Sequence, residues 1–271
     1  MTKIPLETIM LLMFQQLING KFGVTAGKWP IDPDKTTIVF VHGATASHMM
    51  WIPQLVHFRK EYNTIAVDLP GHGLSPGPAF KTVSGYADFV LAAADALKIG
   101  RFILVGLSMG GAISQQIALN APDRLIALVL MSTGVRLRVM PELFKTIREN
   151  WPGFIELFPS FALSKNASKI VIEASKQELR KMTPSVAECD FYACDAFDVK
   201  EKVKGIKLTT LIVSASEDVL TPPKYSDYLS GQIAGSRLVR IENAGHVVNL
   251  EKPQEVNKVL EEFFNQLPVK S

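Results

Sequence analysis

The sequence predicts an α/β fold, a mostly parallel β-sheet with helices on both faces and an inserted helical cap. Three observations predict it. Apolar, β-branched runs recur along the 271-residue chain, each ending in Gly, Pro, Ser or Asp. Helical patterns separate those runs, as the crossovers between parallel strands require. From about Gly134 to Val203 the strand pattern then stops, over a stretch too long to be an ordinary loop.

The elements follow in order. "FQQLINGKFGVTAGKW" places two short strand-like runs around Asn19 and Gly20, the dipeptide that best tolerates the positive φ angles of a tight hairpin. Four apolar runs come next: "TTIVFVHG" (36–43), "NTIAVDLPGHG" (63–73), "RFILVGLS" (101–108) and "RLIALVLMST" (124–133). Helical patterns lie between them at Trp51 to Phe58, Tyr86 to Leu97 and Met109 to Ala121, the last stopping before Pro122. Strands this continuously apolar are buried on both faces. Two more runs, "LTTLIVSAS" (208–216) and "SRLVRIENA" (236–244), precede a helix at about Gln254 to Gln266. The predicted core domain is therefore 1–134 and 204–271, and the cap is 135–203, rich in methionine and aromatic residues.

A chain with 47% hydrophobic residues buries a sizeable core without staples. The balance of 29 Lys and Arg against 26 Asp and Glu gives a net charge of +3, and no dense basic run carries interleaved aromatics. Nucleic acid is not an expected partner. Cys189 and Cys194 have no histidine nearby, so neither a zinc site nor a disulfide framework is suggested, and a reducing cytoplasm is the simplest location. "IMLLMF" (9–14) is too short to span a bilayer and no small-residue cleavage site follows it, so stable membrane insertion is not expected.

The chemistry starts at "VGLSMGG" (105–111). Gly106, Ser108 and Gly110 form a G-x-S-x-G pattern between a strand and a helix, where a sharp turn pushes the serine side chain out at the top of the sheet. Both glycines are needed because a β-carbon would clash in so tight a bend. The plainer reading makes Ser108 a helix N-cap. An alcohol is a poor nucleophile near neutral pH, so Ser108 needs a base, and the base needs a group to fix its tautomer.

Of five histidines, His246 in "NAGHVVNLE" follows the last strand and so opens at the carboxyl edge where Ser108 emerges. It is the preferred base. His42, His48, His57 and His72 are read as satisfied core or surface residues. "SASEDVLTPP" supplies the acid at the same edge: Asp218 is preferred, and Glu217, read as facing solvent, competes. The backbone amides of Met109, at a helix N-terminus, and of Ala44, after "VHG", are the expected oxyanion donors.

"VFVHGA", "VDLPGHGLS", "VGLSMGG", "SEDVLTPP" and "NAGHVVNLEKPQEV", in this order, make the chain resemble the α/β-hydrolase superfamily over residues 14 to 267, in particular its small capped carboxylesterase, lactonase and C–C hydrolase branch. The resemblance implies Ser108 as nucleophile, Asp218 as acid, His246 as base, and Ala44 and Met109 as oxyanion donors. It implies structural roles for His42, Asp68 and His72. Serine at the elbow, where dehalogenases and epoxide hydrolases carry aspartate, argues against those two activities. Residues 1 to 13 match nothing in the family and are read as a helix or an arm with a packing or association role.

The expectation is a serine hydrolase of carboxylic esters, monomeric or homodimeric, acting on a small molecule with no cofactor and no metal. Met49, Met50, Trp51, Trp151, Phe154, Phe158, Val219 and Val247 are the candidate pocket residues, and they suit a short to medium apolar acyl or alkyl group. The alternatives are a lactonase, a thioesterase, a perhydrolase or a C–C bond hydrolase of ring-fission products. The last needs a cap arginine for a carboxylate, from Arg136, Arg138 or Arg148. A small-ligand receptor on the same fold is the non-enzymatic alternative.

Overall fold

The computed structural model describes residues 13–267, so all but the last residue of the expected N-terminal arm lies outside the described residues. Among these, eight strands form one sheet: β1 (Phe14–Ile18), β2 (Phe22–Ala26), β3 (Thr37–Val41), β4 (Asn63–Val67), β5 (Phe102–Leu107), β6 (Leu125–Met131), β7 (Thr210–Ala215) and β8 (Arg237–Ile241). Their order is β1-β2-β4-β3-β5-β6-β7-β8. β1 and β2 are antiparallel, as are β2 and β4, and every later pair is parallel. The hairpin forms where the Asn-Gly pair places it: Asn19 and Gly20 take φ of 52° and 66°, and the Lys21 N–H donates to Ile18 O at 3.0 Å. That primed turn follows the right-handed twist of its strands.

Alternation along the strands divides the interior into two cores. Val39, Val41, Leu104, Leu128, Leu130 and Ile212 face one side, where α2 (Val83–Ala96) and α3 (Met109–Asn120) pack. Ile38, Phe40, Val105, Val129 and Val213 face the other, against α1 (Ile52–Phe58). Both faces are covered, which is why these strands read as unbroken apolar runs.

Residues 135–203 carry α4 (Pro141–Glu149), α5 (Trp151–Ala162), α6 (Lys169–Arg180) and α7 (Pro184–Ala196). The two ends of this stretch meet. Arg136 and Asp198 form an antiparallel bridge, and the Val199 N–H donates to Val135 O at 3.0 Å. Ile147, Phe154, Ile155, Leu179, Ala187 and Phe191 give the stretch a hydrophobic cluster separate from the two sheet cores.

α8 (Pro223–Gln232) joins β7 to β8, and the short α9 (Val248–Glu251) leads into α10 (Pro253–Phe264). α8 adds Leu229 to the first core, and α10 adds Val256, Leu260 and Phe263 to the second. Among the described residues, no helix is long and apolar enough to cross a membrane.

The topology sets the place of the site. The chain steps from β3 outward to β4 and then back across to β5, so the order reverses beside β3. At such a reversal the loops leaving the carboxyl ends part in opposite directions and open a crevice. The loops after β3, β5, β7 and β8 all leave the sheet at that edge, because these strands run parallel.

Candidate active site

Ser108 stands between β5 and α3 with φ 57° and ψ −117°, a conformation that L-residues rarely hold and that costs about 1–3 kcal/mol. Close packing enforces it. An ideal β-carbon at Gly106 would lie 2.1 Å from Gly110 O, and one at Gly110 would lie 2.2 Å from Val41 O. The Ser108 N–H donates to Met131 O at 3.0 Å, and Thr133 Oγ1 donates to Ser108 O at 2.8 Å, so the backbone is tied to β6 and the loop after it. Ser108 occupies the N-cap position of α3, yet its side chain makes no capping bond. Its hydroxyl is half-buried and free of that duty.

Asp218 and His246 meet at the same edge. His246 Nδ1 lies 2.9 Å from Asp218 Oδ2, with both side chains buried. Asp218 also accepts from the Leu220 and Thr221 N–H groups on Oδ1, at 2.9 and 2.8 Å, and from the Thr221 hydroxyl on Oδ2 at 2.7 Å. Burial works against its charge, but the His246 ring and the Thr221 donors outweigh it and hold the carboxyl below its usual range. A carboxylate bound at Nδ1 leaves His246 Nε2 as the ring nitrogen available for proton transfer. No Ser108–His246 hydrogen bond is formed among the described residues. Glu217 is half-buried beside Asp218, and its N–H donates to Ala244 O.

Ala44 and Met109 lie on the loops after β3 and β5. Among the described residues, neither N–H donates to another group. The loop around Ala44 is held from two sides. His42 Nδ1 donates to Gly43 O at 2.8 Å, and its Nε2 accepts from the Leu69 N–H at 3.0 Å. Asp68 accepts from the His48 N–H and from His48 Nδ1, both at 2.7 Å. From the α4–α7 side, Glu178 accepts from the Ser47 hydroxyl at 2.6 Å, and Asp190 accepts from the Thr45 N–H at 2.9 Å.

The remaining histidines have structural partners. His72 binds Asp190 at 2.8 Å, and His57 lies exposed near Glu261. Burial depresses His42 to about 4, helped by the charge of His72. For His72 burial also disfavours the charge, but Asp190 outweighs it and raises the group above its ordinary value. The two imidazoles lie with ring centroids 4.9 Å apart, tilted by 50°, and their surroundings shift them in opposite directions.

The eight candidate pocket residues separate. Trp151, Phe154 and Phe158 form a stack, with ring centroids 5.1 and 4.9 Å apart, in the hydrophobic cluster against which Ala44 packs. Met49 and Val247 are half-buried, and Val219 is 62% exposed. Trp51 is a correction: the 3-10 turn His48–Trp51 directs it and Met50 into the second sheet core, where Met50 keeps 6% exposure while Trp51 has none and packs on Phe40 at 5.0 Å. A side chain with no accessible surface packs the sheet and does not wall a pocket.

Sequence reasoning missed Thr221, Glu178, Asp190 and Glu251. Glu251 accepts from the Gly245 N–H at 3.0 Å and from the Ser164 N–H at 2.9 Å, joining the His246 loop to the end of α5. The Asp-x-x-Thr spacing is a local signal for the Asp218–Thr221 turn. Glu178 reaches Ser47 across 131 residues, Asp190 reaches Thr45 across 145 and Glu251 reaches Ser164 across 87, with no local signature; the Glu251–Gly245 bond alone among these is short-range.

Residues 38–259 match the Alpha/beta hydrolase family. A protein of Rhizobium rhizogenes named "Putative carbamate hydrolase RutD" is 26% identical over 86% of this chain and 94% of its own. The 3-oxoadipate enol-lactonase 2 of Acinetobacter baylyi is 26% identical over 84% of this chain and 88% of its own. Among solved structures, a thermophilic esterase superposes with a TM-score of 0.79 at 30% identity, covering 94% of this chain and 98% of that one.

Proposed function

The chain belongs to the alpha/beta hydrolase family, and we propose that within it the protein is a serine hydrolase of carboxylic esters with a short to medium apolar acyl or alkyl group. The observation that carries this reading is the buried Asp218–His246 pair at the edge where Ser108 stands on its bent backbone without a capping bond.

In the proposed reaction Ser108 Oγ attacks the ester carbonyl carbon while His246 Nε2 takes the serine proton. Asp218 stabilises the imidazolium through Nδ1. The carbonyl oxygen, now an oxyanion, receives the Ala44 and Met109 N–H groups, each worth about 3 kcal/mol to the transition state. The tetrahedral intermediate collapses, the carbon–oxygen bond to the alcohol breaks, and His246 returns the proton to the leaving alkoxide. Water then attacks the acyl-enzyme by the same route, releasing the acid and restoring Ser108. Every proton moved is held by the triad, so the scheme uses no metal and no organic cofactor.

The aromatic stack that packs against Ala44 supports an apolar acyl or alkyl group. The C–C hydrolase reading loses its cap cation, because Arg136 and Arg138 pair with Asp198, and Arg148 pairs with Glu188 and Tyr192. A lactone is an internal ester, cleaved by the same steps. The likeness to an enol-lactonase favours it as the second reading.

Fluorophosphonate labelling with peptide mapping, beside a panel of nitrophenyl esters from acetate to decanoate and a lactone, tests the proposal. The expected result is an adduct on Ser108 and the highest kcat/KM on short to medium chains. Undiminished hydrolysis by Ser108→Ala would overturn it, and activity confined to the lactone would select the second reading.

A further inference from the structure

Asp190 on α7 is fully buried and holds three groups far from it in sequence. Oδ2 accepts from the Thr45 N–H at 2.9 Å and from His72 Nε2 at 2.8 Å, and Oδ1 accepts from the Tyr86 hydroxyl at 2.6 Å. These span 145, 118 and 104 residues, and all three reach from the sheet domain to one helix of the 135–203 insertion. A carboxylate is costly to bury, and this one sits where a leucine or an alanine would pack at no such cost.

Thr45 explains the position. It is β-branched, yet its φ is 58°, in the left-handed region that such side chains avoid. A conformation of this kind persists only where surrounding contacts over-determine it. Those contacts come in sequence along the loop. His42 Nδ1 donates to Gly43 O, and because a trans peptide points its N–H opposite to its C=O, that bond aims the Ala44 N–H the other way. The following peptide is held at both ends: Thr45 Oγ1 donates to Ala44 O at 2.7 Å, and the Thr45 N–H donates to Asp190. The core fixes one peptide and the insertion fixes the next.

We infer that Asp190 is a positioning residue for the proposed oxyanion site: by holding the Thr45 N–H it fixes the Ala44–Thr45 peptide, so the donor geometry at Ala44 is assembled only while the helical insertion is seated on the sheet. The inference rests on the Ser108 reading above. It assigns the insertion a part in transition-state stabilisation, in addition to enclosing the substrate. His72 shares Oδ2 with Thr45, whereas Tyr86 binds the other oxygen, Oδ1.

Three variants test it, each assayed for kcat and KM on a nitrophenyl ester and for inhibition by an alkyl boronic acid, which mimics the tetrahedral state. Asp190→Ala removes the acceptor. The expected result is about a hundredfold loss of kcat and a matching rise in the boronate Ki, with KM within about threefold. Asp190→Asn keeps a carbonyl oxygen for Thr45 and should keep kcat and Ki within about fivefold. Tyr86→Phe removes a bond to the same carboxylate without touching Thr45, and should lower Tm while leaving both constants within about twofold.

Unchanged kcat and Ki in Asp190→Ala would overturn the inference. So would a tenfold loss of boronate affinity in Asp190→Asn or Tyr86→Phe, which decides the matter even where Asp190→Ala does not fold. Failure of the Ser108 reading is separate: wild-type protein inert to both ester and fluorophosphonate would sink that reading, whereas active wild type with an equally active Asp190→Ala sinks only this inference.

Discussion

The Thr221 hydroxyl donates to Asp218 Oδ2 at 2.7 Å and lies 3.2 Å from His246 Nδ1, so one small side chain touches both members of the buried pair proposed as acid and base. Hydrogen bonds to a charged group are worth roughly 1.5–3 kcal/mol. Thr221→Val, which keeps the shape and removes the hydroxyl, should lower kcat about tenfold on any ester substrate. Thr221→Ser should restore it. Steady-state kinetics on the two variants distinguishes a hydroxyl effect from one of packing.

Ser108 is strained, and the strain has a direction. Ser108→Gly relieves a backbone that only glycine holds without penalty, so stability should rise by about 1 kcal/mol, roughly 2–4 °C in Tm, while hydrolysis falls by several orders of magnitude. Calorimetry beside the ester assay checks both. A fall in Tm would show that the neighbouring packing does not force the serine geometry.

His42 gives a pH dependence with a fixed sign. Its folded value is lowered to about 4 from 6.5, so between these the unfolded chain holds the extra proton and stability rises with pH. The span amounts to roughly 3 kcal/mol. His72 acts oppositely: its folded value is raised, so its stabilisation is full below 6.5 and is lost as pH climbs through the folded value. Thermal melts from pH 4 to 6.5 should show the rise, and His42→Asn should flatten it even if its Tm is lower throughout.

Glu251 joins the His246 loop to the end of α5 through two backbone amides. Glu251→Ala leaves both without an acceptor, at about 1–3 kcal/mol each. Limited proteolysis should then cut the exposed Lys165–Asn166 region faster than in wild type, and Tm should fall. Glu251→Gln keeps one acceptor oxygen and should fall between the two.

How much of this was legible in the sequence depended on the range over which each signal acts. The hairpin at Asn19–Gly20 and the six later strand runs follow from local turn chemistry and from burial on both faces, and all of them form. α8 was not foreseen. Its Pro223 occupies the first turn, a place that suits the missing N–H. Trp51 was read as a pocket residue on its type alone, and the turn geometry that sends it into the core is not visible in composition. Asp190 carries no local sequence signal. Its three partners lie more than 100 residues away, so only the folded chain brings them together.

β8 closes the sheet at its far end, and among the described residues its outer row of N–H and C=O groups has no neighbour strand. Arg237 pairs with Glu262 on α10, and Arg240 pairs with Asp227 on α8. Exposed pairs like these add little to stability. Their value is at the rim: a strand arriving from another molecule would have to dock beside two charged side chains already bound to flanking helices, which guards the open border of the sheet against edge-to-edge growth.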